Sequence, residues 1–131
     1  MKLLLDTHIW LWSLLERPRL TARVAAALTD PGNELWLSPI STWELVMLVE
    51  RRRVVLDAEP ETWVRRVLSE VNFREAPLTH EVAIRTRRVR PPHGDPADAL
   101  LAATAAVYDL TLVTADHQLL RSKSYAVLAN R

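Results

Sequence analysis

The chain has 131 residues and no cysteine, so no disulfide contributes to its stability. A chain of this length buries roughly two thirds of its unfolded surface on folding, and it can build a core without covalent crosslinks. The lack of Cys fits a reducing compartment, although many exported bacterial proteins also lack it. We therefore expect a single domain, residues 1–131, that needs no disulfide.

Long apolar runs are also missing. Asp6 and His8 interrupt the N-terminal apolar stretch before a signal-peptide core of about seven to fifteen residues can form. No other stretch approaches the eighteen or so apolar residues that span a bilayer. We predict a soluble, cytoplasmic protein.

A strong net charge is absent as well, because the formal charge at neutral pH is only +1. This value excludes the global positive field of an obvious nucleic-acid binder. The distribution of the basic residues is more informative, since fifteen of the seventeen are Arg, in clusters at 51–53, 65–66 and 85–90. Arg binds phosphate bidentately, so each cluster is either a phosphate contact or an ordinary solvated helix face.

Short apolar runs alternate with helix-like patterns along the whole chain. This alternation predicts an α/β fold with a mainly parallel sheet. The predicted strands are 3–5, 34–38, 111–114 and, more weakly, 73–78 and 125–128. The predicted helices are 7–15, 20–28, 39–53, 61–71, 79–89, 95–108 and 117–120, with a rigid loop at 91–94.

Two acids lie just after predicted strands. Asp6 follows the first strand, and Asp116 follows the strand 111–114. The carboxyl ends of parallel strands form the edge where ligands bind, and two neighbouring strands would bring these carboxylates together. The alternative is that each Asp simply caps the helix after it.

Glu44 lies in a helix that is apolar on nearly every side. A carboxylate buried there should be met by a cation or an Arg, because an unpaired buried charge is costly. The alternative is a capping box, in which Glu44 reaches back to Ser41. Against this alternative, Ser38 and Pro39 form an equally good helix start and would place Glu44 one turn further inside.

Asp95 and Asp98 are three residues apart at the start of a long, Ala-rich helix, so they share one face of its first turn. Helix capping by Asp95 and a favourable helix dipole for Asp98 are the structural alternatives.

If Asp6, Glu44, Asp98 and Asp116 converge, their repulsion raises some of their pKa values unless a cation is present. An all-oxygen set of ligands favours Mg²⁺, with Mn²⁺ as its usual substitute. Such a site activates water for phosphodiester hydrolysis. For the neighbouring histidines, His8, His93 and His117, we favour polar roles around the acids over direct ligation.

Four motifs occur in order: LLLDTH at 3–8, SPISTWE at 38–44, HGDPADALLAA at 93–103 and LVTAD at 112–116. The set spans nearly the whole chain and resembles PIN-domain ribonucleases, in particular the VapC toxins of bacterial type II toxin–antitoxin modules. The resemblance implies a three-layer α/β/α PIN fold, a Mg²⁺-dependent endoribonuclease, homodimers, and an antitoxin whose C-terminal segment covers the active groove.

Carried over by position, the resemblance implies a catalytic set of four acids, with two direct metal ligands among them. The catalytic acids are Asp6, Glu44, Asp98 and Asp116; Asp6 and Asp98 bind the metal, and Asp95 is accessory.

Basic residues that the family often carries after the Glu44 position and after Asp98 are replaced here by Leu48, Val49 and Ala99. Phosphate contacts are therefore expected from 51–53 or 85–90, and no substrate-binding residue is transferred. The RNA substrate can be structured or single-stranded. The competing hypothesis is a non-catalytic interaction domain or a receiver-like signalling domain, in which the acids mainly cap helices.

Overall fold

The computed structural model describes residues 1–89, 91 and 94–131. Within these residues five strands form one sheet in the order β3-β2-β1-β4-β5. All four pairings between neighbouring strands are parallel, which confirms the predicted sheet. The strands are β1 Lys2–Leu5, β2 Glu34–Leu37, β3 Phe73–Glu75, β4 Thr111–Thr114 and β5 Ala126–Ala129.

The helices begin within about two residues of their predicted starts. They are α1 Thr7–Leu15, α2 Ala22–Thr29, α3 Pro39–Glu50, α4 Pro60–Glu70, α5 His80–Val89, α6 Pro96–Tyr108 and α7 His117–Leu120, with a short 3₁₀ turn at Arg17–Arg19. None of the helices in the described part of the chain is long and apolar enough to cross a membrane.

Two predicted elements, the third helix and the strand 73–78, were too long at their C-terminal ends. The third helix ends at Glu50 instead of residue 53, because Arg52 has a left-handed backbone with φ of 58°, which cannot continue a right-handed helix. Strand β3 ends at Glu75, shortly before Pro77, whose nitrogen has no hydrogen to donate. The predicted loop at 91–94 falls partly outside the described residues, since Pro92 and His93 are not among them.

Successive residues of the central strand β1 belong to two separate hydrophobic cores, one on each face of the sheet. The fold therefore has three layers, with helices on either side of the sheet. Leu3 and Leu5 pack into one core with helices α1 to α4, whereas Leu4 packs into the other with α5 and α6. This division follows from the alternation of side chains along a strand. Helices therefore cover both faces of the sheet, which fits the continuous apolar run of residues 3–5 in β1.

The first strand lies in the middle of the sheet, between β2 and β4. The chain moves from β1 to one side of the sheet and later returns to the other side at β4, so the strand order reverses between these two strands. At this switch point the Asp6 N–H donates a hydrogen bond to the Val113 carbonyl at 3.0 Å. Crevices of this kind, at the carboxyl ends of parallel strands, are where open α/β sheets bind ligands.

Candidate active site

Asp6 lies directly after β1 and is buried, with 8% of its surface exposed. Its side chain makes no capping hydrogen bond to α1, although Asp6 occupies the N-cap position. Instead, the hydroxyl of Thr114 at the end of β4 donates to Asp6 Oδ2 at 2.6 Å. The capping explanation is therefore wrong for this side chain, and the neighbouring strand orients the carboxylate.

Burial is the main cause of a raised pKa at Asp6, and repulsion from Asp116 raises it further. The Thr114 hydrogen bond and the attraction of His8 lower this pKa in part. The site consequently holds a carboxylate in surroundings that disfavour its charge unless a cation is present.

Glu44 lies one turn inside α3, because that helix starts at Pro39. The Ser38 hydroxyl accepts a hydrogen bond from the Ile40 N–H at 3.1 Å and so acts as the N-cap. The capping-box explanation, which required a start at Ser41, is wrong. Glu44 Oε1 instead accepts a hydrogen bond of 2.5 Å from the Thr7 hydroxyl.

Thr7 and Ser41 connect the helices that carry the first two acids. Their hydroxyl oxygens lie 2.9 Å apart in a buried hydrogen bond between α1 and α3. The pKa of the partly buried Glu44 is raised by burial first and then by repulsion from Asp6 and Asp95, whereas the Thr7 hydrogen bond lowers it.

The two acids at the start of α6 have different surroundings. Asp95 Oδ1 accepts a hydrogen bond from the Ala97 N–H at 2.9 Å, so the capping explanation is right for this residue. Asp98 is partly buried in the first turn, and its pKa is raised to about 7. Burial is the largest cause; repulsion by other carboxylates adds to it, from Asp95, Asp6, Asp116 and Glu44 in that order.

Asp116 combines capping with a position beside Asp6. Its Oδ1 caps α7 by accepting hydrogen bonds from the N–H groups of Gln118 and Leu119, at 2.8 and 3.2 Å. Its own N–H donates to the Thr114 hydroxyl at 3.0 Å, the same hydroxyl that binds Asp6. Thr114 therefore positions both acids at the ends of β1 and β4.

The other three predicted catalytic acids, Asp6, Glu44 and Asp116, and the accessory Asp95 lie close enough to raise the pKa of Asp98. Among the described residues, no three acidic or histidine side chains are already arranged as a ligand set for a metal ion. The donors nevertheless fit a hard cation, because they are carboxylates whose mutual repulsion such an ion would relieve.

The histidines are peripheral where they can be described. His8 is exposed on α1, and its charged form would attract Asp6 and Glu44. His117 is exposed at the first position of α7. His93 lies outside the described residues, as does Arg90 from the cluster 85–90.

One predicted basic cluster has local partners. Arg65 pairs with Glu61 at 3.3 Å, and Arg66 pairs with Asp57 at 2.8 Å, both on the exposed side of α4. Exposed pairs of this kind contribute little to stability and suit the solvated-face interpretation.

Three hydroxyl side chains that position the acids were not predicted from the sequence: Thr7, Ser41 and Thr114. Thr7 and Thr114 were quoted in motifs but given no role, and Ser41 was considered only as the start of a capping box. A signal was available, because each lies within three residues of a candidate acid.

Comparison with known proteins agrees with this geometry. Residues 3–123 match the model of the PIN domain family. The chain is 35% identical over 118 residues to Ribonuclease VapC22 of Mycobacterium tuberculosis, a match that covers 88% of each protein.

Solved structures share the fold over 98% of the chain. VapBC2 of Rickettsia felis, bound to a promoter DNA fragment, matches over 98% of its own chain with a TM-score of 0.72 and 16% identity. FitAcB of Neisseria gonorrhoeae matches over 97% of its chain with a TM-score of 0.67 and 25% identity. The chain belongs to the PIN-domain family and, within it, to the VapC toxins.

Proposed function

We propose that this protein is the toxin of a type II toxin–antitoxin module and acts as a Mg²⁺-dependent endoribonuclease. The observation that carries the proposal is the convergence of carboxylates on Asp98, whose pKa is raised to about 7 by burial first and then by these neighbours. Repulsion of this kind is costly in the absence of a cation and favours binding of one. The ribonuclease named among its relatives supports RNA as the substrate.

In this proposal Asp6 and Asp98 hold Mg²⁺, for which Mn²⁺ can substitute. Glu44 and Asp116 complete the catalytic pocket, and Asp95 is accessory. When bound, the ion would supply an activated water and would neutralise charge developing on the phosphoryl group.

Two threonines keep the acids in place for this chemistry. The Thr114 hydroxyl binds Asp6 and the Asp116 N–H, and the Thr7 hydroxyl binds Glu44. Thr7 and Thr114 are buried and lie on elements that pack into the hydrophobic cores. The carboxylates that they bind therefore need little reorganisation when substrate arrives. Preorganised charges of this kind stabilise a transition state without an ordering cost at the moment of reaction.

The proposed partners are an RNA substrate, a cognate antitoxin and a second copy of the chain in a homodimer. The antitoxin is supported by the structural relatives, several of which are toxin–antitoxin complexes. We propose that residues 1–131 act as one PIN domain and that the protein works in the cytoplasm, where its substrate and antitoxin would be found.

The direct test is cleavage of total cellular RNA by the purified protein with Mg²⁺ and with EDTA. Asp6→Asn and Asp98→Asn should each lower the cleavage rate at least about a hundredfold, since electrostatic groups at a reacting centre typically contribute that much. Glu81→Gln is the matched control, because Glu81 is an exposed acid in the first turn of α5. Full activity in EDTA or in both Asn variants would disprove the mechanism.

The non-catalytic alternative predicts a different result. If the acids only cap helices, titration with Mn²⁺ should neither bind nor raise the unfolding temperature, because a ligand stabilises only a state to which it binds. The lack of a capping hydrogen bond from the Asp6 side chain argues against this alternative.

A further inference from the structure

A cleft of about 230 Å³ lies between α3 and the first turn of α6, next to the acids. Glu44 and Asp95 form part of its wall, so it is continuous with the candidate active site. The rest of the wall consists of Trp43, Met47, Leu48, Arg51, Pro96 and Ala97. The cleft thus places an apolar surface and the positively charged Arg51 next to the catalytic acids.

Trp43 is the distinctive residue of this cleft. It precedes Glu44 in the chain, and 55% of its surface is exposed. By contrast, Trp10 and Trp63 are almost completely buried in the core, with exposed fractions of 0% and 3%. An indole that remains in water beside a reactive site offers a flat face to a ligand, which is how aromatic side chains bind unpaired bases.

Arg51 supplies the complementary charge. It follows the last residue of α3 and is exposed, two turns along the helix from Glu44. On a helix, residues 44, 47, 48 and 51 share one face, so the Arg side chain reaches the same cleft as the acid. A guanidinium binds a phosphate through two parallel hydrogen bonds, and this suits the RNA backbone next to a stacked base.

We propose that Trp43 and Arg51 form a subsite for one unpaired nucleotide beside the cleaved bond, with its base on Trp43 and its phosphate on Arg51. This inference rests on the proposed ribonuclease activity and specifies its substrate class as single-stranded RNA. A duplex cannot use the subsite, because its bases are stacked on one another and their faces are not accessible.

The test measures binding to an unstructured RNA of mixed sequence, to its duplex, and to a strand of equal length without bases. All proteins carry Asp98→Asn so that the strand stays intact. Trp43→Leu should weaken binding of the single strand about tenfold, as expected for loss of one stacked base, and should leave duplex and baseless-strand binding unchanged. Trp43→Phe should recover most of the affinity, because it restores an aromatic face.

Arg51→Gln should weaken binding of the single strand and of the baseless strand alike, because both carry phosphates. Two controls match these variants. Arg65→Gln removes an exposed Arg from α4, and Trp36→Leu removes an indole that stacks on Tyr108 away from the cleft. Neither control should change RNA affinity. In the active background, Trp43→Leu should raise KM more than it lowers kcat.

Several results would overturn the subsite. All of them begin with equal affinity of wild type and Trp43→Leu for the single strand. If the variant also changed the oligomeric state or lost antitoxin binding, that result would assign Trp43 to a protein interface. If Trp43→Leu fails to fold, the wild type and Trp43→Phe still test the subsite, because equal binding of the mixed-sequence and baseless strands by both proteins would overturn it. A wild-type protein that does not cleave RNA would refute the proposed function itself, whereas normal cleavage with an unaffected Trp43→Leu variant refutes only this subsite.

Discussion

Replacing Asp98 by Asn should stabilise the metal-free protein while it removes activity. The pKa of Asp98 rises from 3.8 to about 7 on folding, mainly by burial and then by repulsion from neighbouring acids. At about 1.36 kcal/mol per unit, this shift corresponds to an upper limit of roughly 4 kcal/mol. Asp98 is only partly buried, so solvent screening reduces the expected gain to about 1–2 kcal/mol.

The sign of the effect depends on pH. Because the folded state binds the Asp98 proton more tightly than the unfolded chain, stability is greatest below the unfolded pKa of 3.8 and is lost as pH rises through about 7. Asn has no proton to lose, so Asp98→Asn should gain more at about pH 8 than at about pH 5. For a chain of this size the gain at the higher pH is roughly 4–8 °C in unfolding temperature.

Calorimetry or circular dichroism in EDTA measures this difference, with Glu81→Gln as the control for loss of an exposed acid. In a second series, Mg²⁺ or Mn²⁺ should raise the unfolding temperature of the wild type and have little effect on Asp98→Asn. A variant that is no more stable than wild type at about pH 8, or a gain equal to that of Glu81→Gln, would refute the conclusion that burial and repulsion together disfavour the charged form of Asp98.

Three further substitutions test the residues that support the site. Thr114→Val should cost about 1–3 kcal/mol in urea unfolding and lower RNA cleavage at least about tenfold, because it removes the donor to buried Asp6, while Thr114→Ser should restore both. Thr7→Val should raise the pKa of Glu44 further and shift the pH profile of cleavage upward; an unchanged profile would contradict the positioning role. Ser38→Ala should lower the free energy of unfolding by about 1 kcal/mol through loss of the N-cap of α3, with cleavage at low temperature unaffected.

The strands and helices were largely predictable from the sequence because their signals are local. Pro39 and Pro96 start helices after hydroxyl or carboxylate caps, and the apolar run at the start of the chain favoured a strand buried on both faces. The ordered acid motifs were enough to predict the family, and the match to the PIN domain confirmed it. Helix and strand ends were less predictable, because the left-handed backbone of Arg52 is not evident from its residue type.

The role of each acid could not be read from the sequence, because Asp at a helix start is compatible with both a cap and a ligand. Asp95 and Asp116 do cap helices, whereas the Asp6 side chain does not. The distinction depends on which donor reaches each carboxylate. Backbone N–H groups bind Asp95 and Asp116, whereas the hydroxyl that binds Asp6 belongs to Thr114, 108 residues away.

The first strand and Asp6 show most clearly what the sequence determines and what the tertiary structure determines. The sequence alone placed Asp6 at the end of a short apolar run, and in a chain whose strands and helices alternate such a run is typical of a buried parallel strand. Only the tertiary structure decided that β4 would lie beside β1 and that Thr114 would hold the carboxylate. Strand order and contacts between distant residues arise from the packing of whole layers, and no local pattern encodes them.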